Sequence, residues 1–209
     1  MDLMLNDGMV EVTAREDDAT TFVDQNVNHG SNDIFSGRMA IGSNVGKDVS
    51  GCVSISEVMK NADLDWKVVQ REIADKETGA VIPGWMANVR ELDGKTLGIV
   101  NSRRYAICQN EDAFEFIGNI IGDEVSYARA GSLLGGRKVF VQVKLPECDI
   151  LGDSFDMYLV FTNSHDGKGS VRAFVTPIRI TCQNMLYLAL ERADRSWSCY
   201  HRGNVVERL

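Results

Sequence analysis

Arg137-Lys138-Val139-Phe140-Val141-Gln142-Val143-Lys144-Leu145 alternates with a period of two. In a strand, successive side chains point to opposite faces. Val139, Val141, Val143 and Leu145 then share one face, and Lys138, Phe140, Gln142 and Lys144 share the other. The preceding run, Val125 to Leu134, reads as a second strand, and Gly135-Gly136 as the turn between them. The stretch is an antiparallel hairpin.

Downstream, Met157 to Thr162 reads as an apolar strand. Asp166-Gly167-Lys168-Gly169 turns it into a strand over Val171 to Ile180. A helix then starts near Gln183 and carries Met185, Leu186, Leu188, Ala189 and Leu190. Upstream, Asn110 reads as the cap of a helix from Glu111 to Ile121. Its apolar residues Ala113, Phe114, Ile117, Ile120 and Ile121 recur at helical spacing. Tyr105 to Gln109 reads as a short strand. Met86 to Leu92 and Thr96 to Asn101 flank Asp93-Gly94, a hairpin signal. Leu64 to Ile73 alternates as a strand, with a turn at Glu77 to Ala80. Ser54 followed by Glu57 is a capping box for a helix running to Ala62. The order predicts an α+β fold, with an antiparallel sheet packed against two main helices. Residues 1–50 are rich in Asp, Asn, Gly, Ser and Thr and read as a loop-rich arm. Residues 51–209 read as one domain.

The 209 residues carry a net charge of −8. Residues 1–124 hold 22 acidic and 11 basic residues, so the acidic excess lies there. This balance opposes broad nucleic-acid adhesion and leaves room for a local basic groove in the second half. No apolar run reaches the ~18 residues of a membrane span. The acidic first twenty residues do not form a secretory leader. The five cysteines are scattered, without CxxC pairs, and read as reduced thiols of a cytoplasmic protein. No cofactor or metal site is expected.

Ser164-His165-Asp166 contains the residue types of a hydrolytic triad. Three consecutive side chains cannot form that relay, because neighbours point apart. The run reads better as a hairpin connection. Asn163, His165 and Asp166, with Asn184 further on, then form a possible ligand loop, and no catalytic residue is assigned. Cys199-Tyr200-His201 reads as a surface segment. Gly131 to Lys138 lacks the strand–loop–helix context of a phosphate loop. Basic and aromatic residues interleave at Arg104 and Tyr105, at Tyr127 and Arg129, and at Arg137, Lys138, Phe140 and Lys144, then at Lys168 and Arg172. Cations along a backbone with aromatic rings for stacking suit single-stranded nucleic acid.

From about Val53 onward the text resembles a phage and plasmid family, domain of unknown function 932. The likeness rests on Leu64-Asp65-Trp66, Leu97-Gly98-Ile99-Val100, Arg104-Tyr105, Gln109-Asn110-Glu111 and Phe114-Glu115-Phe116. It continues through Ala130-Gly131-Ser132-Leu133, Gly135-Gly136-Arg137, Thr162 to Gly167, Thr176-Pro177, Cys182-Gln183-Asn184 and Leu188-Ala189-Leu190. The resemblance implies a mobile-element origin and no assigned reaction. The element order is also similar to RecT/Erf-type single-strand annealing proteins, whose likeness implies oligomers holding single strands in a basic groove. The expectation is a non-enzymatic protein that binds single-stranded DNA as a homo-oligomer and promotes annealing. Alternatives are a counter-defence protein that binds a host protein, and a small hydrolase using His165 and Asp166.

Overall fold

The computed structural model describes residues 2–6, 9–13, 45–120, 125–150, 153–193 and 196–208. Most of the arm read over residues 1–50 lies outside them. The chain is α+β, with mostly antiparallel sheets and three helices among the described residues. One sheet orders its strands β1 (Asp2–Asn6), β2 (Met9–Thr13), β4 (Val68–Asp75), β5 (Val81–Arg90) and β6 (Thr96–Asn101). Only its β2–β4 pairing is parallel. The larger sheet runs β13 (Ser196–Cys199), β12 (Val171–Thr176), β11 (Tyr158–Ser164), β8 (Lys138–Lys144), β7 (Ser126–Leu133) and β3 (Lys47–Asp48). A small ribbon of β9 (Cys148–Ile150) and β10 (Asp153–Phe155) occupies the loop between β8 and β11. The helices are α1 (Ile55–Asn61), α2 (Asn110–Ile120) and α3 (Gln183–Glu191). No helix among the described residues is long and apolar enough to cross a membrane.

The predicted hairpin of β7 and β8 forms, with Leu133 opposite Lys138. Its connection tightens into a 3-10 turn over Leu134–Gly136. The larger sheet is covered on both sides. Val139, Val141, Val143 and Phe161 face a core with Phe114 and Ile117 of α2. Phe140, Val160 and Phe174 face a second core with Leu186 and Ala189 of α3. Each fully buried Phe, Val, Ile or Leu contributes about 1.5–3 kcal/mol of transfer free energy. Phe140 and Gln142 are therefore inside, not on a solvated face. Gln142 meets the polar demand of that position by tying β8 to the irregular segment that follows β12. Its Nε2 donates to Ile178 O at 2.9 Å, and its Oε1 accepts from Ile180 N–H at 3.1 Å. β12 stops at Thr176, before Pro177, which has no N–H for a ladder.

Three local readings need correction. Tyr105 to Gln109 is irregular, because its polar groups are taken by distant partners. Ala106 N–H donates to His201 O, and Asn163 Nδ2 donates to Cys108 O. Asn110 starts α2 but does not cap it. Its side chain reaches Leu64 O at 3.0 Å and the His165 ring at 2.8 Å. The β5–β6 loop is longer than Asp93-Gly94 alone, since Arg90 N–H bonds to Lys95 O. The Ser54 cap holds: its Oγ accepts from Glu57 N–H at 3.3 Å. Glu57 reaches back one residue further than the usual box, to Val53 N–H at 2.9 Å. Ser54→Ala is expected to lower stability by about 1 kcal/mol in urea unfolding.

Candidate nucleic-acid interface

The Asn163-Ser164-His165-Asp166-Gly167 run joins β11 to β12, as a hairpin connection should. It does not project into solvent. It is seated against the smaller sheet. His165 N–H donates to Arg137 O at 2.7 Å, and Asn88 Nδ2 donates to His165 O at 2.8 Å. The Tyr105 hydroxyl donates to Ser164 O at 3.2 Å. Gly98 of β6 lies directly beneath: a Cβ there would be 2.5 Å from Asp166 Cα. Asp166 Oδ1 organises the turn by accepting from Ser164 Oγ, Lys168 N–H and Gly169 N–H.

Of the ligand-loop residues read from sequence, Asn163 and His165 are fully enclosed. His165 touches the Trp66 ring edge-on at 5.3 Å between centroids. Burial, helped by the nearby His201, pushes its imidazole down to about 3. Asp166 is half-buried, and Asn184 is exposed on α3. The side chains of His165 and Asp166 bond to different partners, Asn110 for one and the turn for the other.

The basic and aromatic residues divide into two groups. Tyr127 is buried in the α2-side core. Arg129 is enclosed too, and its guanidinium clips Val45 O at 3.2 Å and Gly46 O at 2.8 Å. Tyr105 stacks on His201 at 4.8 Å, and burial raises its hydroxyl pKa. Lys144 is paired with Asp156 at 2.7 Å. The first three are built into the fold, and Lys144 is held in a surface ion pair. The second group is accessible. Arg104, Lys168 and Arg172 are exposed, and Arg137 and Lys138 are half-buried.

Register brings part of this second group together. Thr162 lies opposite both Phe140 and Arg172, and Ser164 lies opposite Lys138. Lys138 and Arg172 therefore flank β11 on one face of the sheet. Burial lowers the Lys138 pKa; Asp166 opposes the shift and Arg172 adds to it. The ammonium stands over the Tyr187 ring of α3, 5.4 Å from its centroid. Arg172 also pairs with Ser198 of β13. Two residues on, Tyr200 is 67 % exposed, while Cys199 between them is buried. Alternation turns Tyr200 toward the Arg172 side. Sequence reading missed Tyr187 and Tyr200. A Tyr in an apolar helix and one in a terminal segment carry no interleaving signal.

A cleft of about 350 Å³ lies apart from this surface, lined by Met59 and Trp66 with Lys60, Lys67, Glu111 and Glu115 around them. Its rim carries both signs of charge and offers no cationic track. No group of three or more His, Cys, Asp or Glu able to hold a metal occurs among the described residues.

No curated protein matches the chain, and no solved structure does. Residues 97–209 match the family described as Domain of unknown function (DUF932). That segment holds the whole of the larger sheet apart from β3, together with α2, α3 and the seated β11–β12 connection. It covers more than half of the sequence, and the protein therefore belongs to the domain-of-unknown-function 932 family.

Proposed function

We propose that the protein is a non-enzymatic, mobile-element protein that binds single-stranded DNA. It acts in the cytoplasm of the host cell and promotes annealing as a homo-oligomer. The observation that carries this reading is the accessible group at one end of the larger sheet. Lys138, Lys168 and Arg172 supply cations for phosphates there, and Tyr187 and Tyr200 supply rings. Arg104 and Arg137 extend the set. Tyr105, Tyr127 and Arg129 are engaged inside the fold, Lys144 is held in a surface ion pair with Asp156, and all four are dropped from it. The RecT/Erf likeness of element order supports the annealing part of the proposal.

Fluorescence anisotropy with a labelled single-stranded oligonucleotide tests it. Three phosphate contacts give a salt exponent of about −2, so affinity should fall about 20-fold between 50 and 200 mM salt. Tyr200→Ala should weaken binding by about 1–3 kcal/mol, the value of one base stack. Binding that is absent at 50 mM salt, or indifferent to salt, refutes the proposal.

A second reading rests on a different surface. Met185 and Leu188, one turn apart on α3, are exposed apolar residues. They suit a host protein as partner, which is the counter-defence alternative. Loss of a captured stoichiometric partner in Met185→Asp would favour it. The hydrolase alternative needs a base open to substrate, and the enclosed His165 ring gives it no support.

A further inference from the structure

The cleft between α1 and α2 has walls that are tied to one another. The Gln109 amide bonds to both backbone groups of Val68. Asn110 Nδ2 donates to Leu64 O, and Leu64 N–H donates to Met59 O at 2.8 Å. These bonds join the end of α1, the segment before β4 and the start of α2. The 350 Å³ between them is preformed, and its size is that of a small-molecule site. Met59 and the Trp66 ring, both buried, make the apolar floor. The polar atoms of that floor are already engaged. Trp66 Nε1 donates to Asp63 O at 3.0 Å, and Gln109 is held by Val68.

Recognition of a charged group therefore falls to the rim. Lys60 stands on α1 and Lys67 on the segment before β4, beside Asp65. Glu111 and Glu115 stand one turn apart on α2. All five are exposed. The ion pairs among the described residues join Lys47 to Asp63, Arg90 to Asp93, Lys144 to Asp156 and Arg179 to Asp48, and none engages the cleft. Charges of both signs thus surround one apolar floor without neutralising one another. Glu111 and Glu115 also repel, as like charges four residues apart on a helix do.

Charge narrows the choice of occupant. A phosphate or a nucleic-acid backbone would meet three carboxylates. A plain cation would meet two ammonium groups. A molecule with one charge of each sign and a hydrocarbon body meets none of these objections. We propose that the cleft binds a free α-amino acid with a large apolar side chain, of the leucine and phenylalanine class. The ammonium group faces Glu111 and Glu115, the carboxylate faces Lys60 and Lys67, and the side chain covers Met59 and Trp66.

Isothermal titration of the full chain with leucine and with phenylalanine tests this. At least one should bind with a Kd of about 1 mM or tighter. Leucinamide lacks the carboxylate and N-acetylleucine lacks the ammonium group, so each should bind at least about 3-fold more weakly than leucine. Glu111→Gln should weaken leucine about 2–5-fold without weakening N-acetylleucine. Lys60→Gln should weaken leucine to a similar degree without weakening leucinamide. Both positions are exposed, and circular dichroism checks that the fold is kept. Lys76→Gln, in the turn after β4, is the control and should change nothing. No binding of either amino acid at about 10 mM overturns the proposal. Leucinamide or N-acetylleucine binding as tightly as leucine overturns it too, as does an affinity indifferent to both rim substitutions.

Discussion

Gly98→Ala is expected to lower the unfolding free energy by about 3 kcal/mol or more. The added Cβ would meet Asp166 Cα at 2.5 Å, its O at 2.6 Å and its C at 2.7 Å. All three are backbone atoms, so no side chain can swing aside. Nor can the tip retreat freely, since it is tied to Arg137 O and to Asn88. Overpacking against unyielding structure costs about 1–3 kcal/mol and at times more. In a chain of this size that is about 6–12 °C in Tm. Gly51→Ala is the control. Nothing lies within 4 Å of its Cβ position, and its change should stay within about 0.5 kcal/mol. A Gly98→Ala protein as stable as the parent would mean that the tip is not seated on the smaller sheet.

Stability should also fall on mild acidification, in a window set by His165. The unfolded histidine binds a proton below its ordinary value near 6.5; the folded one resists until about 3. Between those values the unfolded state holds the extra proton, so each unit of falling pH favours unfolding. The slope is about 1.4 kcal/mol per pH unit, which gives about 3 kcal/mol by pH 4. His201 is shifted down for the same reason, burial, and adds in the same direction. The carboxylates held low by hydrogen bonds, Asp48, Asp75 and Asp93, act only as pH approaches their ordinary 3.8. The upper part of the window therefore belongs to the histidines. Urea midpoints taken from pH 7.5 to 4.5 check this. A flat profile over that range would contradict the enclosed, neutral ring.

The β7–β8 hairpin and the Ser54 cap were legible because their determinants are local. A period of two, a pair of glycines and a Ser with a Glu three residues on all act within one turn or strand pair. Tyr105 to Gln109 was not legible. Its partners lie 41 residues away at Val68, 55 at Asn163 and 95 at His201. The polar text around His165 suggested an open tip for the same reason: the sheet that encloses it is a different part of the chain. Tyr127 and Arg129 show the converse. Interleaved basic and aromatic residues suit a nucleic-acid surface, but they also occur in a strand covered on both faces, where the cation clips a backbone carbonyl. Gly98 carried a usable signal. An isolated glycine in a strand marks a close backbone approach. The family likeness was read from about Val53, while the match begins at Leu97, so Leu64-Asp65-Trp66 stands outside the matched segment.

Gln109 has a further consequence. Its Nε2 donates to Val68 O and its Oε1 accepts from Val68 N–H, both at 2.9 Å. A side-chain amide thus reproduces the pair of bonds that a neighbouring strand would make. Among the described residues β2 meets β4 only from Ile73 to Asp75, and no strand of this sheet pairs with the Val68 end of that edge. Unpaired edges invite another chain to add a strand. Here the inviting groups are already spoken for, so assembly by edge-to-edge β extension is closed at this point. Any oligomer must be built from other surfaces.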